Sequence, residues 1–236
     1  MFPTNEINQK VYEYLNGDYE ITDTYSIPSV EEIQFGKFAK RMKLCTFYID
    51  LRHSTNLLFS HDKQTAGKIH KSFLYIVSTT INYYDGYIRS FNGDSVLAFW
   101  PANYLNEIGN AVKAAMTIKW LIDSKLSNLF EEYEKLDFGI GIDWGPVYII
   151  RAGLPRNANN NDLVFIGKSV NFAVALGEQA KSPYHIEISS STYDNLEEPL
   201  IRSSLDSQSV DMWHDGTFNW QGNLYQTKLT SYHWYF

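Results

Sequence analysis

Two aspartates stand where strand-forming runs give way to turn-forming residues. Asp50 is the last residue but one of the run Lys43 to Leu51 (KLCTFYIDL), just before Arg52-His53-Ser54-Thr55, while Asp94 directly follows Asn92-Gly93. Two carboxylates held at one strand edge repel each other unless a cation lies between them, and oxygen donors of this kind suit Mg²⁺ or Mn²⁺. Leu51 to Thr55 would add backbone N–H groups and hydroxyls at a helix start, where the dipole favours phosphate. The chemistry implied is hydrolysis or transfer at the phosphate of a nucleoside triphosphate. One divalent ion would activate the attacking oxygen and a second would neutralise the leaving phosphate. Gly167-Lys168-Ser169 looks like the end of a Walker A loop, but Asp162 occupies the required upstream glycine position, so that reading fails.

The surrounding residues predict the elements that must position these groups. Lys43 to Leu51 reads as a buried central strand that delivers Asp50 to its carboxyl end. A helix capped by Ser54 or Thr55 follows, with Ile69, Phe73 and Ile76 at helical spacing, and Asp85-Gly86 closes it. Tyr87 to Phe91 and Ser95 to Trp100 flank Asn92-Gly93 as a hairpin, because both turn residues tolerate positive φ. A right-handed crossover from the first strand through its helix to a parallel strand brings Asp50 and Asp94 to the same side. A helix over Glu107 to Phe130 and strands over Leu136 to Ile142 and Val147 to Arg151, turned by Gly145-Pro146, complete an order βαββαββ.

After a polar loop from Arg156 to Asn161, a short apolar stretch (Leu163 to Ile166) leads into a helix from Gly167 to Lys181. His185 to Ser189 alternates like a strand, Ser190 to Leu196 like a short capped helix, and Leu224 to Phe236 like one or two aromatic strands. Those last strands would pair with the sheet or cross to another subunit. Met1 to Ser29 shows no sustained period. The chain therefore divides into an extension, residues 1–42, packing on the core or a partner subunit, and a domain, residues 43–236, with aromatic strands from about residue 200.

Composition narrows the class. A formal charge of −7 over 236 residues argues against nucleic-acid binding, which needs Lys and Arg gathered on one face. No run approaches the roughly 18 apolar residues of a spanning helix, so no membrane insertion is expected, and the start MFPTNEINQ lacks a signal peptide's pattern. A cytoplasmic protein is expected. The single cysteine, Cys45, falls in the strand run and offers neither a disulfide nor a thiolate metal site, and His53, His70, His185, His214 and His233 share no metal-ligand spacing.

Taken in order, Phe47-Tyr48-Ile49-Asp50-Leu51-Arg52-His53-Ser54-Thr55, Arg89-Ser90-Phe91-Asn92-Gly93-Asp94 and Gly167-Lys168-Ser169-Val170-Asn171 resemble the motifs of the class III nucleotidyl cyclases. Gly139-Ile140-Gly141-Ile142 with Gly145-Pro146-Val147 resembles that family's central hairpin, so the similarity spans about Lys43 to Leu196. The resemblance implies a ferredoxin-like α+β fold, a βαββαβ core sheet with helices on one face. It also implies a head-to-tail homodimer with two composite sites, Asp50 and Asp94 from one subunit and Asn171 from the other. Two metal ions would be held by Asp50, Asp94 and the Leu51 carbonyl, and the N–H groups around Arg52, His53, Ser54 and Thr55 would hold the terminal phosphates. Ile27-Pro28-Ser29 and the stretch from Met212 to Trp234 are similar to the bacterial Pycsar pyrimidine cyclases of antiphage defence. That similarity implies conversion of UTP or CTP, UTP favoured, to a 3′,5′-cyclic monophosphate that activates an effector.

Purine cyclases of the family read their base with lysine and aspartate or with glutamate and cysteine, whereas the matching positions here hold Ser90 and Val164. Tyr48 is a candidate to narrow the pocket toward a pyrimidine, and Arg89 a candidate to reach a base carbonyl. The family's transition-state arginine, four residues after the asparagine, is replaced by Ala175. Lys168 and Arg151 are the candidate substitutes. The alternatives are a degenerate or purine-specific cyclase and a nucleotide-binding regulatory module; a diguanylate cyclase is disfavoured by Asn92-Gly93-Asp94-Ser95.

Overall fold

The computed structural model describes residues 2–133, 135–155, 157–205 and 208–233. The chain opens with α1 (Thr4–Leu15) and β1 (Glu20–Asp23), then enters the long strand β2 (Phe38–Leu51). Helices α2 (Ser54–Ser60) and α3 (Lys63–Tyr83), strands β3 (Tyr87–Asn92) and β4 (Ser95–Pro101), and helix α4 (Leu105–Trp120) follow. A single π-helical turn, Leu121–Lys125, separates α4 from α5 (Ser127–Glu131). Next come β5 (Phe138–Gly153), β6 (Asn161–Ile166), α6 (Lys168–Gln179) and β7 (Ile186–Ser189). The short helices α7 (Ser190–Tyr193) and α8 (Glu198–Ile201), the ribbon β8 (Arg202–Leu205) and β9 (Gln208–Asp211), and the hairpin β10 (His214–Trp220) and β11 (Asn223–Thr230) complete the described chain.

Nine of these strands form one sheet in the order β10-β11-β7-β5-β2-β4-β3, with β1 alongside β2 and β6 alongside β5. Strand β2 is central, antiparallel to both β4 and β5. Since β3 is antiparallel to β4, it runs parallel to β2 with β4 inserted between them. The crossover therefore spans one strand more than a direct βαβ unit, yet the hairpin turn still arrives at the carboxyl end of β2. Strand β3 is one edge of the sheet and carries a bulge between Ile88 and Ser90.

The two faces bury different cores. Cys45, Phe47, Ile49, Phe138, Ile140 and Ile142 point to the face covered by α3 and α4, where Phe73, Val77, Val112 and Met116 pack on them. The alternate residues Met42, Leu44, Val147 and Ile149 point to the opposite face, with Phe99, Leu163, Val170 and Ile33. Besides the helices expected on one face, α6 crosses this second face in close contact with the sheet. A Cβ at Gly141 would meet Ala173 O and the Gly177 backbone, and one at Gly177 would lie 2.6 Å from Tyr48 Cδ1. Glycine at both positions lets helix and sheet backbones touch.

Several boundaries differ from expectation. The predicted single helix from Ser54 to Tyr84 is broken at Asp62, whose carboxylate accepts from Gln64 N at 2.8 Å and Thr65 N at 3.0 Å and so caps a new helix. Gly145-Pro146 makes no turn, because β5 runs unbroken through both residues. On that side of β5, β7 pairs only as far as Ile142 and β6 begins only at Tyr148, so the N–H that Pro146 lacks is not needed. The expected boundary at residue 42/43 falls inside β2. Residues 20–23 also join the sheet, fixed by Arg41 Nε donating to Asp23 Oδ1 at 2.7 Å. The extension contains the helix α1, none of whose residues is buried. Of the predicted C-terminal strands, residues 224–230 form β11, β10 is an additional strand, and 234–236 lie outside the described residues, as does Arg156 of the predicted loop.

Candidate active site

Asp50 is the penultimate residue of β2, one beyond the paired Ile49–Val96, and Asp94 sits two residues before Val96, in the turn where Gly93 adopts φ 67°. The two carboxylates therefore face each other across the end of the β2–β4 ladder. Burial pushes the Asp50 carboxyl up to about 6 and Asp94 adds to the shift; Arg52 opposes it, and Glu178 adds further. A buried carboxylate destabilised by a like-charged neighbour is what a divalent cation relieves. Among the described residues no group of three His, Cys, Asp or Glu is arranged to hold a metal. The pair fits an Mg²⁺-like ion that takes one or two protein carboxylates and completes its shell from substrate phosphates and water.

Tyr48 lines the same corner, half-buried, its ring against Gly177. Burial raises its phenol, against a hydrogen bond with Ser95, while Asp50, Glu178 and Asp94 add smaller upward pushes. Leu51 lies within β2 opposite Phe138, with its side chain in the core. His53 follows in the left-handed region at φ 57° and precedes the first turn of α2. The N–H groups of His53, Ser54 and Thr55 have no partner among the described residues and are free for an anion.

Arg52 does not join them. Its backbone N–H donates to Asp137 O at 2.8 Å, because the β2–β5 ladder runs on past Leu51. Its guanidinium turns to the C-terminus of α6, donating to Gly177 O and, at 2.8 and 3.1 Å, to Ala180 O, with Asp50 Oδ2 3.7 Å away.

On α6, Asn171 and Glu178 are exposed on the face that also carries Ala175. The helix C-terminus lies beside Asp50 of its own chain. Asn171 is six residues N-terminal of Gly177, about 9 Å along the axis. Ser90 on β3 and Val164 on β6 are both exposed. Arg89 draws their strands together, donating to Leu163 O at 2.6 Å and pairing with Asp162 at 2.6 Å. It is thereby engaged as a brace and is not free to reach a base.

The candidate substitutes for the missing arginine sit elsewhere in the chain. Arg151 lies thirteen residues along β5 from Phe138, the partner of Leu51, bonded to Asn161 Oδ1 at 3.1 Å and stacked over Phe35 at 4.5 Å. Lys168 stands 4.3 Å over the Tyr225 ring at the N-terminal end of α6. It lines a cleft of about 870 Å³ with Asp143, Trp144, Ser169 and Ser189. Burial pushes the Asp143 carboxyl up to about 6, against a 2.5 Å hydrogen bond from Ser189 Oγ and the charge of Lys168.

Sequence reasoning did not single out Glu178, the bracing role of Arg52, or Asp143. Glu178 had a usable signal, since it lies seven residues after Asn171 and so two turns along the same helix face. Arg52 and Asp143 had none, because their partners are far away in sequence.

The fold recurs in solved structures. The adenylyl cyclase CyaB from P. aeruginosa superposes with a TM-score of 0.68 over 81% of this chain and 95% of that one, at 21% identity. The chain has the class III nucleotidyl cyclase fold, and its sequence is similar to enzymes of that class, which are phosphorus–oxygen lyases. More particularly, it is similar to bacterial uridylate cyclases. It is 26% identical to one from Rhodovulum sp. (strain MB263), covering 89% of this chain and 88% of the relative, and 28% identical to one from Burkholderia cepacia, covering 89% of each. No family model matches the sequence.

Proposed function

We propose that the chain converts a pyrimidine nucleoside triphosphate, UTP before CTP, to its 3′,5′-cyclic monophosphate and pyrophosphate. The observation that carries this reading is the facing pair Asp50 and Asp94, with open N–H groups beside it and with Ser90 and Val164 where purine cyclases keep a polar pair. The uridylate cyclase relatives support the choice of base.

In this reading the substrate's 3′-oxygen attacks its own α-phosphorus in line. The bond to the β-phosphate oxygen breaks, pyrophosphate departs, and the hydroxyl proton passes to solvent. Two divalent ions, Mg²⁺ or Mn²⁺, held by Asp50 and Asp94, would lower the pKa of the hydroxyl and offset charge on the departing pyrophosphate. The N–H groups of His53, Ser54 and Thr55 hold the terminal phosphates, and Asn171 orients the ribose. Because Asn171 is displaced along α6 from the Asp50 of its own chain, a head-to-tail homodimer in which it serves the partner's aspartates fits the geometry. Lys168 or Arg151 would then meet the partner's site rather than their own. The product would act as a second messenger to an effector in bacterial antiphage defence.

Incubating the purified protein with Mn²⁺ and each of ATP, GTP, CTP and UTP, with mass-spectrometric detection, tests the reading. Cyclic UMP is the expected main product, absent for Asp94→Ala with the Tm not lowered. A purine product refutes the base assignment, and an active Asp94→Ala refutes the site.

A further inference from the structure

We propose that Arg52 is a positioning residue that ties both composite sites of the dimer together, by fastening the C-terminus of α6 to the strand end that carries Asp50. The proposal rests on the head-to-tail reading above.

A helix ends with carbonyls that have no intrahelical partner and with a partial negative charge, and both are satisfied by a cation. In α6 no basic residue occupies the last turn, and Glu178 places a further negative charge there. Arg52 supplies the missing cation from another element. Its planar fork donates to Gly177 O and Ala180 O, and its side chain is only 16% exposed. The contact is sterically committed: a Cβ on Gly139 would meet Arg52 Nη2 at 2.5 Å as well as Gly177 O and Ala180 O. Arg52 stands two residues after Asp50, on the backbone that leaves β2.

Helix α6 is a rigid element with two functional ends. Its C-terminal end is held at this chain's Asp50, and its N-terminal half presents Asn171. In a head-to-tail dimer that Asn171 belongs to the other site. Arg52 thus sets where Asp50 stands in one site and, through the helix, where Asn171 stands in the other. Lysine, with one point charge and no fork, cannot make the same set of bonds.

Mixed dimers separate these two effects. Co-expressed, differently tagged chains, one Asp50→Asn and the other Asn171→Ala, leave a single live site, built from the aspartates of the second chain and Asn171 of the first. Arg52→Gln is then introduced into the first chain alone, where it reaches the live site only through α6. The expected result is a fall in kcat of roughly 10-fold at unchanged Mn²⁺ dependence, of the size that slight misplacement of an orienting group causes. Arg52→Lys in the same chain should fall similarly. Unchanged kcat overturns the proposal and confines Arg52 to its own Asp50. If the mixed dimer without any Arg52 change has no activity, the composite-site reading fails, and the proposal falls with it. Dimer content and Tm of each preparation show whether a loss comes from unfolding, and a loss of kcat that follows lost dimer also counts against the proposal.

Discussion

Replacing Asp143 with asparagine isolates an electrostatic cost that the fold carries at neutral pH. Asp143 is 6% exposed, and burial moves its carboxyl from the ordinary 3.8 to about 6. The folded-state pKa lies above the unfolded one, so the fold holds this proton more tightly. The stabilising contribution is complete below pH 3.8 and is lost as pH rises through about 6. A shift of about two units at about 1.4 kcal/mol each gives about 3 kcal/mol at pH 8. Asparagine keeps the size and an oxygen to accept the Ser189 hydroxyl, but it has no charge to bury. The Tm of wild type and Asp143→Asn, followed by circular dichroism from pH 4.5 to 8, should therefore diverge. The difference grows from about 1 kcal/mol at the acid end to a Tm advantage of roughly 6 to 12 °C for the variant above pH 7. Parallel curves, or a less stable variant at pH 8, would show that Lys168 and the serine hydroxyls outweigh burial and would refute the reasoning.

Gly141→Ala should destabilise the chain by about 2 to 4 kcal/mol in urea titration, since the added methyl drives into Ala173 O and the Gly177 backbone. Gly145→Ala, whose nearest neighbour is a Ser169 side chain at 3.5 Å, should cost far less. Asp50→Asn should raise the Tm measured without metal, because it removes a buried charge facing Asp94, while eliminating cyclic product. Arg89→Ala releases β3 from Leu163 O and Asp162, and kcat/KM for UTP should fall roughly 10-fold with only a small change in Tm.

The facing aspartates Asp50 and Asp94 were legible because local rules placed them. Asn92-Gly93 demanded a tight turn, and a strand ended at Asp50, so topology brought the carboxylates together. The break at Asp62 was also written locally, as a capping residue, but the apolar spacing through Ile69, Phe73 and Ile76 concealed it. Gly145-Pro146 misled because turn chemistry depends on whether neighbouring strands need the N–H, and that is settled by where β7 ends and β6 begins. Helix α1 was unreadable for a different reason. Its apolar residues Ile7, Val11 and Leu15 are all exposed, so it has no buried face whose spacing would mark it. Arg52 illustrates the general limit: a long side chain chooses partners 125 and 128 residues away, and no window of sequence contains both ends of that bond.

The position of Ser90 on an edge strand has a bearing on how this protein can change over generations. Strand β3 is paired on one side only, and its bulge falls at Arg89, next to the position proposed to face the base. A new side chain there displaces no neighbouring strand and opens no hole in either core. Selection can therefore try different residues at position 90 at little cost to folding, whereas Asp50, half-buried on the central strand opposite Gly139, has no such latitude. Under the proposed function, nucleotide choice and structural integrity are in this way placed under separate control, and a lineage under pressure to alter its product could do so without first acquiring a more stable scaffold.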